Sequence, residues 1–572
     1  MPANARRTII FTLAVCCPLL YAAGSDIWGL DGRERIPFNT EVLSSSTDDG
    51  TRVEEVYFTS EIAGGEPVRV YGFIARPEPV EGRIPAILEL HGGGGTANKA
   101  SATGFARDLG MCVLNIDWSG RPERGTHVST AAGLPTDLFG DPRGVTEDLS
   151  DFSARHTIRA LVRCIDFLEA QPYVDPDRIG VMGGSWGGFL TLLTAGLDPR
   201  VKCAVSGFGA GGFRGTHEFC ARPILALSEA QREFWFDTVD PIHYLDRIGG
   251  PVALLTATNE LHFWLNTAKA TYGKLPAGSR IMIAPNAVHV CRAGVIWPNA
   301  EWARLHFGDA PDWPEIKDFT FDGAQATWSV DGGVPIEKST LYFSPGREHW
   351  PSRVWLPAAT TIDGNTHKAV LPVWASGAEA DAYPLVIDER HRSVSVPPVH
   401  ADGLALAGMS AARPKPGRVD GFTEGVGAWR LLFDNARKGT LEWRKPGQDR
   451  PGAMVVRETR SEVSEIEVET NLIYLAVAQL SSEAVLRFMV DTAGFATPLG
   501  IQIVEDPGEE HERGFGTRTA LIAKRGWQEV KVPLTEFTGA PDWTKVRKLS
   551  LKLNFPPGGS VAFANIRVEP QR

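Results

Sequence analysis

From about Val53 to Phe307, short apolar runs alternate with segments whose apolar residues recur at helical spacing. The runs are Ile84–Leu90, Met111–Ile116, Arg178–Met182, Val201–Val205, Pro251–Ala257 and Arg280–Ala284. Strands that are apolar on both faces and separated by helices belong in a parallel sheet covered on both sides. One helix reads clearly, because Ile158, Leu161, Val162, Ile165 and Leu168 fall on a single stripe before Asp175-Pro176-Asp177. This rhythm predicts a doubly wound, mainly parallel α/β domain over residues 25–310.

Two stretches interrupt it. Residues 119–151 are rich in Gly, Pro, Thr and Asp, and residues 208–248 mix Gly, Arg and aromatics. Long connections in α/β domains commonly build the walls of a site, so both are expected to overhang the carboxyl ends of the strands. Past about Pro311 the pattern becomes β-rich, as in Ala326–Val330, Thr340–Phe343 and Lys368–Trp374. This predicts a small β-sandwich over 311–412. The Pro-rich joint Arg413-Pro414-Lys415-Pro416-Gly417 reads as a linker, and a second β-sandwich is expected over 413–572, with alternation in Ala484–Asp491 and Val546–Leu553. There is no internal repeat.

Composition changes this picture little. The 572 residues are 43% hydrophobic and 22% charged, with 60 Gly and 40 Pro, which suits a turn-rich β portion. A formal charge of -11 argues against nucleic acid, whose phosphates require a basic surface, and against an anionic membrane surface. The first 24 residues read as an export signal: Arg6 and Arg7, a mostly apolar Thr8–Leu20, then small residues at Ala22-Ala23-Gly24. The apolar stretch is short for a bilayer span. The paired arginines also suggest a twin-arginine signal, whereas Val15 before Cys16 speaks against lipid anchoring. A secreted or periplasmic location follows as the expectation. Five cysteines remain after such cleavage: Cys112, Cys164, Cys203, Cys220 and Cys291. The first three sit in apolar patterns and read as buried thiols. Cys220 and Cys291 lie near the expected site, which leaves a bridge between them open, and an odd count leaves one thiol free. No spacing resembles a zinc site.

The chemistry centres on Gly183-Gly184-Ser185-Trp186-Gly187-Gly188, between the strand ending at Met182 and the helical Phe189–Leu193. A G-x-S-x-G run there makes a tight turn that lifts the serine hydroxyl above the sheet, with glycines where side chains would clash. A serine needs a base, and the base needs an orienting acid, in the chain order Ser, acid, His. Thr258-Asn259-Glu260 ends one later strand and Pro285–His289 the next, so Glu260 and His289 are the candidates. His262, Asn259, Asp240 and Asp246 keep the acid position open. His91-Gly92-Gly93-Gly94-Gly95 follows Ile84–Leu90; Gly93 and Gly94, with the amide of Trp186, are the candidate oxyanion donors. A phosphate-binding loop would end in Lys-Ser or Lys-Thr, which is absent. Trp118, Arg121 and Trp235 are candidate substrate contacts; Phe234 and Phe236 flank the last. No metal or organic cofactor is called for.

These stretches resemble the α/β-hydrolase superfamily, especially the acetylxylan esterases, dienelactone hydrolases and prolyl-oligopeptidase-like enzymes. The resemblance covers roughly the first half of the chain and includes Asp240-Pro241 with Tyr244. It implies a serine esterase with a Ser185–His289–Glu260 triad. The sequence departs at Glu260, where relatives usually carry aspartate. The end of the chain, Trp527–Phe537, Trp543 and Val561–Val568, is similar to the closing strands of galactose-binding-like, carbohydrate-binding β-sandwiches. The middle region looks immunoglobulin- or fibronectin-like. Together these imply an ester substrate that is carbohydrate-linked, with a peptidase and a non-catalytic glycan-binding surface protein as the rival readings.

Overall fold

The structure is a computed structural model. It describes residues 27–120, 127–130, 152–216, 221–285, 287, 289, 299–308, 312–332, 334–345, 350, 353, 355–371, 378–404, 418–422, 426, 429–431, 438–448, 451–460, 463–470, 473, 484–505, 513–521, 523–539, 541, 543 and 546–570. The expected export signal, Arg121, most of the 119–151 stretch, Cys220, Cys291 and the 413–417 joint lie outside them.

An antiparallel meander opens the first half: β1 (Glu41–Asp48), β2 (Thr51–Ala63) and β3 (Glu66–Pro77). Then come β4 (Ile84–Leu90), α1 (Lys99–Leu109), β5 (Cys112–Ile116), α2 (Ser153–Glu169), β6 (Val174–Gly184), α3 (Trp186–Leu197), β7 (Val201–Gly207), β8 (Val252–Ala257) and β9 (Arg280–Ala284). The strand order is β1-β2-β3-β5-β4-β6-β7-β8-β9, parallel from β5 onward. The parallel strands are buried on both faces, as their unbroken apolar runs require. The α2 stripe turns Ile158, Leu161, Val162, Ile165 and Leu168 inward, and none of the five exceeds 1% exposure. Because β4 has β5 on one side and β6 on the other, the winding reverses there. Ligands of such sheets bind at the carboxyl ends beside that reversal.

The 311–412 region adds β10 (Glu315–Asp322), β11 (Gln325–Asp331), β12 (Ile336–Pro345), β13 (Leu356–Ala358), β14 (Thr360–Asp363), β15 (Thr366–Val370), β16 (Ala378–Asp388), β17 (Ser393–Ser395) and β18 (Val399–Leu404). Four of them make a separate sheet, β10-β11-β15-β14. The other five continue the α/β sheet past β9, through the pair Ser395–Ile281. One layer of the expected sandwich is therefore an extension of the α/β sheet. The cores run on accordingly. Trp355 and Tyr383 are buried in one cluster with Leu254, Ile281 and Ile283, and Trp328, Leu341 and Phe343 in another with Leu255, Met282 and Ala284.

Between Arg418 and Pro570 the strands form a six-stranded and a five-stranded antiparallel sheet. Their facing sides enclose Phe488, Ile503, Leu551, Phe555 and Val561, which alternate with outward polar residues such as Glu467 and Lys552. Among the described residues, every apolar residue of this core comes from positions 419–568.

Candidate active site

Ser185 sits where β6 becomes α3, with φ 58° and ψ −122°. Such a backbone costs a side-chain-bearing residue about 1–3 kcal/mol and persists only where its surroundings enforce it. Here the surroundings are close-packed main chain. A Cβ added at Gly187 would stand 2.3 Å from the Leu90 carbonyl oxygen, and one at Gly183 would stand 2.5 Å from the Gly187 carbonyl. The Ser185 amide donates to the Gly207 carbonyl at 2.7 Å, which pins the turn to β7.

The hydroxyl is not alone. Ser185 Oγ donates to His289 Nε2 at 2.8 Å, and His289 Nδ1 donates to Glu260 Oε1 at 2.7 Å. An imidazole that spends its proton on a carboxylate through Nδ1 presents a lone pair on Nε2, the form a proton acceptor needs. Phe208, His262 and Phe263 surround the ring, with centroids 5.5, 4.3 and 6.5 Å away. Glu260 is fully buried and also accepts from the amide of His262 at 2.8 Å. Burial pushes its carboxyl up, but the charge and hydrogen bond of His289 and the contact with His262 outweigh this and leave it below the ordinary value. Burial and the neighbouring His289 push His262 down to about 4, so it stays neutral beside the base.

The glycine loop after β4 lies directly against this turn. A Cβ at Gly92 would meet the Gly184 carbonyl at 3.1 Å, one at Gly93 the Trp186 ring at 2.5 Å, and Gly94 has φ 87°. Only glycine lets the main chain approach this closely. The Trp118 indole donates to the His91 carbonyl at 2.8 Å, and its ring stacks on the His91 imidazole at 4.8 Å. Asp117 accepts from the amides of Ser119 and Ser129 and from the Ser119 hydroxyl, and its Oδ1 stands 3.5 Å from His91 Nε2. Burial raises its carboxyl; the neighbouring His91 and the hydrogen bonds from Ser129 and Ser119 more than offset that and leave it lowered.

The structure thus brings Ser185, His289 and Glu260 together and sets Gly93, Gly94 and Trp186 beside them. Asp240, an alternative for the acid, instead accepts from the amides of Gly212 and Phe213. Two expected substrate contacts are placed otherwise. Trp118 is buried with its ring and N–H on His91, and Trp235 is 3% exposed, packed on Phe189 and Phe213. Trp235, packed against Phe189, Phe213 and Phe236, leaves little surface for a ligand. Of the 208–248 stretch, expected to overhang the strands, Phe213 and Trp235 pack on Phe189 of α3, while Phe208 faces the His289 ring. Sequence reading passed over Phe208, Phe263 and Asp117; only Asp117, at a strand end before Ser-Gly, carried a signal, as a carboxylate placed to cap a turn. Among the described residues no group of three His, Cys, Asp or Glu has the geometry to hold a metal, and no helix is long and apolar enough to cross a membrane.

Residues 26–209 match the family model described as acetyl xylan esterase, and residues 148–302 match that of the prolyl oligopeptidase family. The first half of the chain has an α/β-hydrolase fold. It is similar to acetyl esterase Axe7A of Xylanibacter ruminicola, with 31% identity over 143 residues, 24% of this chain and 32% of that protein. A putative hydrolase of Bacillus subtilis, YtaP, is 26% identical over 194 residues, 30% of this chain and 58% of that one. The alignments therefore span about a third and just under three fifths of these relatives. Among solved structures, acetyl xylan esterase 1 from Thermoanaerobacterium sp. aligns with 49% of this chain and 91% of its own, at 22% identity and a TM-score of 0.42.

Proposed function

We propose that the protein is a serine esterase that cleaves carboxylic esters through an acyl-enzyme. The observation that carries this reading is the unbroken series Ser185 Oγ, His289, Glu260, set at the reversal of the sheet. His289 Nε2 takes the hydroxyl proton as Ser185 Oγ attacks the ester carbonyl carbon. The carbonyl electron pair moves onto oxygen, where the amides of Gly93 or Gly94 and of Trp186 stabilise it. Collapse expels the alcohol, which receives the proton from His289. Water then attacks the acyl group in the same way, releasing the acid and restoring the serine. Glu260 holds the imidazole in one tautomer and offsets its charge. The similarity to acetyl esterases, and that of the last domain to carbohydrate-binding sandwiches, favour a carbohydrate-linked ester such as an O-acetyl group, with the protein working outside the cytoplasm.

A fluorophosphonate probe tests the nucleophile. Wild type is expected to label, and Ser185→Ala to lose labelling together with roughly 10⁴-fold or more in ester turnover. Equal labelling of both proteins would sink the proposal. The match to the prolyl oligopeptidase family over 148–302 favours a second reading, a peptidase. Acetate release from acetylated xylan, set against cleavage of peptide amides, separates the two: peptide cleavage alone would overturn the esterase.

A further inference from the structure

We infer that the β10–β18 region is a working part of this site, with Asn259 and Arg353 as positioning residues that hold the acid loop. The inference rests on the esterase reading above. Asn259, 1% exposed, stands one residue before Glu260 and is tied on three sides. Its amide donates to the Ala287 carbonyl at 3.0 Å, two residues before His289. Its Oδ1 accepts from the Thr258 hydroxyl at 2.8 Å, and its Nδ2 donates to the Arg353 carbonyl at 2.6 Å. The last bond leaves the α/β-hydrolase half altogether.

Arg353 is fixed in turn. It is 5% exposed, its guanidinium lies 3.7 Å from the centre of the Trp350 ring, and it is paired with Asp381 on β16. Asp381 also accepts from His400 Nδ1, on β18, at 3.2 Å. A buried cation with a buried carboxylate partner has little freedom to move, so the Arg353 carbonyl offers Asn259 a fixed acceptor.

Glu260 depends on that anchor. Its Oε1 takes the His289 proton and the amides of His262 and Phe263, while Oε2 is buried with no hydrogen-bond partner among the described residues. A carboxylate held through one oxygen takes its orientation from the main chain that carries it. Asn259 sets that main chain, and Arg353 sets Asn259. Displacements of about 1 Å in such machinery cost on the order of 10²-fold in rate.

The test uses the full-length protein with a soluble aryl acetate. Asn259→Ala removes the tie directly, and Asp381→Asn releases Arg353 without changing its shape. Each is expected to lower kcat roughly 10- to 30-fold, with KM within about twofold, because what is lost is alignment in the transition state. The decisive readout is made in a Glu260→Gln background, where both substitutions should lose their effect, since they act only through Glu260. Tyr383→Phe, whose hydroxyl bonds the Ile283 carbonyl at the same junction but off the acid loop, should leave kcat unchanged. Wild-type kcat in both variants, or losses that simply add to that of Glu260→Gln, would overturn the inference. Should Asp381→Asn fail to fold, Asn259→Ala, which loses only the two side-chain hydrogen bonds to Thr258 and Arg353, decides alone. Absence of both ester turnover and probe labelling in wild type overturns the esterase reading itself, and this inference with it.

Discussion

The two β-rich regions that follow the catalytic half are built from similar strands and are joined to it in opposite ways. The region of β10–β18 extends the catalytic sheet through Ser395–Ile281, shares both of its cores, and reaches the loop before Glu260. The strands of 418–570 close two sheets on each other around a core whose described residues all lie within 419–568. Likeness in composition and strand length says little about dependence; what decides it is whether the apolar face of a region is completed from within or borrowed. The first region borrows. The second completes its own.

Truncation gives the largest expected effect. A chain ended at residue 310 loses Trp355 and Tyr383 from the catalytic core, both fully buried. Their burial alone stabilises by roughly 5 kcal/mol, comparable to the whole net stability of a domain. Such a chain is expected to be insoluble and inactive on aryl acetate, whereas one ended at Leu404 should keep turnover within about twofold of the full chain. Equal loss in both would break the comparison.

Single cavities come next. Trp355→Ala and Phe488→Ala should each cost about 3–5 kcal/mol. The first is expected to lower the calorimetric transition that carries activity, and the second only the transition of the closing sandwich, with ester turnover unchanged.

Acid should also separate the two. His262 and His306, both in the catalytic half, are held near 4 in the folded state by burial, with an added push from His289 in the first case and Arg280 in the second. Their folded values lie below the unfolded one, so the unfolded chain binds more protons between about pH 6.5 and 4. Stability is therefore lost as pH falls through that window, by up to about 3 kcal/mol for His262. Glu260 adds a loss in the same direction at lower pH, because its lowered value favours the folded, ionised form only above the unfolded one. The catalytic transition is expected to fall with pH well ahead of the sandwich transition, and His262→Asn should flatten its slope. Parallel slopes would refute this.

The smallest effect concerns the seam itself. Ser395→Ala removes the hydroxyl that accepts from the Ile283 amide at 3.3 Å, and should cost about 1 kcal/mol in the catalytic transition while leaving the sandwich untouched.

Much of the catalytic half is legible in the sequence, for physical reasons. Parallel strands need apolar runs, and the Ser185 turn needs glycine on both sides because Leu90 and Gly207 stand against it; both requirements are local and leave local marks. The order nucleophile, acid, base follows from successive strand ends. What the sequence hides is contact between distant segments. Nothing near Asn259 announces that its amide meets a carbonyl 94 positions later. Nor does the alternation of β12 and β16 tell whether their sheet stands alone or continues another, since the pattern is the same either way. The loops and chemical type of Trp118 and Trp235 point to the pocket, yet Trp118 braces His91 and Trp235 packs on Phe189 and Phe213, contacts that sequence position does not reveal.

The seam at Ser395 has a consequence in time. Ribosomes make Ser185, Glu260 and His289 by residue 289, but the Arg353 carbonyl that fixes Asn259 and the strand that borders β9 at Ser395 come only afterwards. The growing chain thus holds every reacting group well before it holds the frame that aligns them. On the proposed reading, catalytic competence comes late in the synthesis of each molecule, with residues outside the Ser185–His289–Glu260 series.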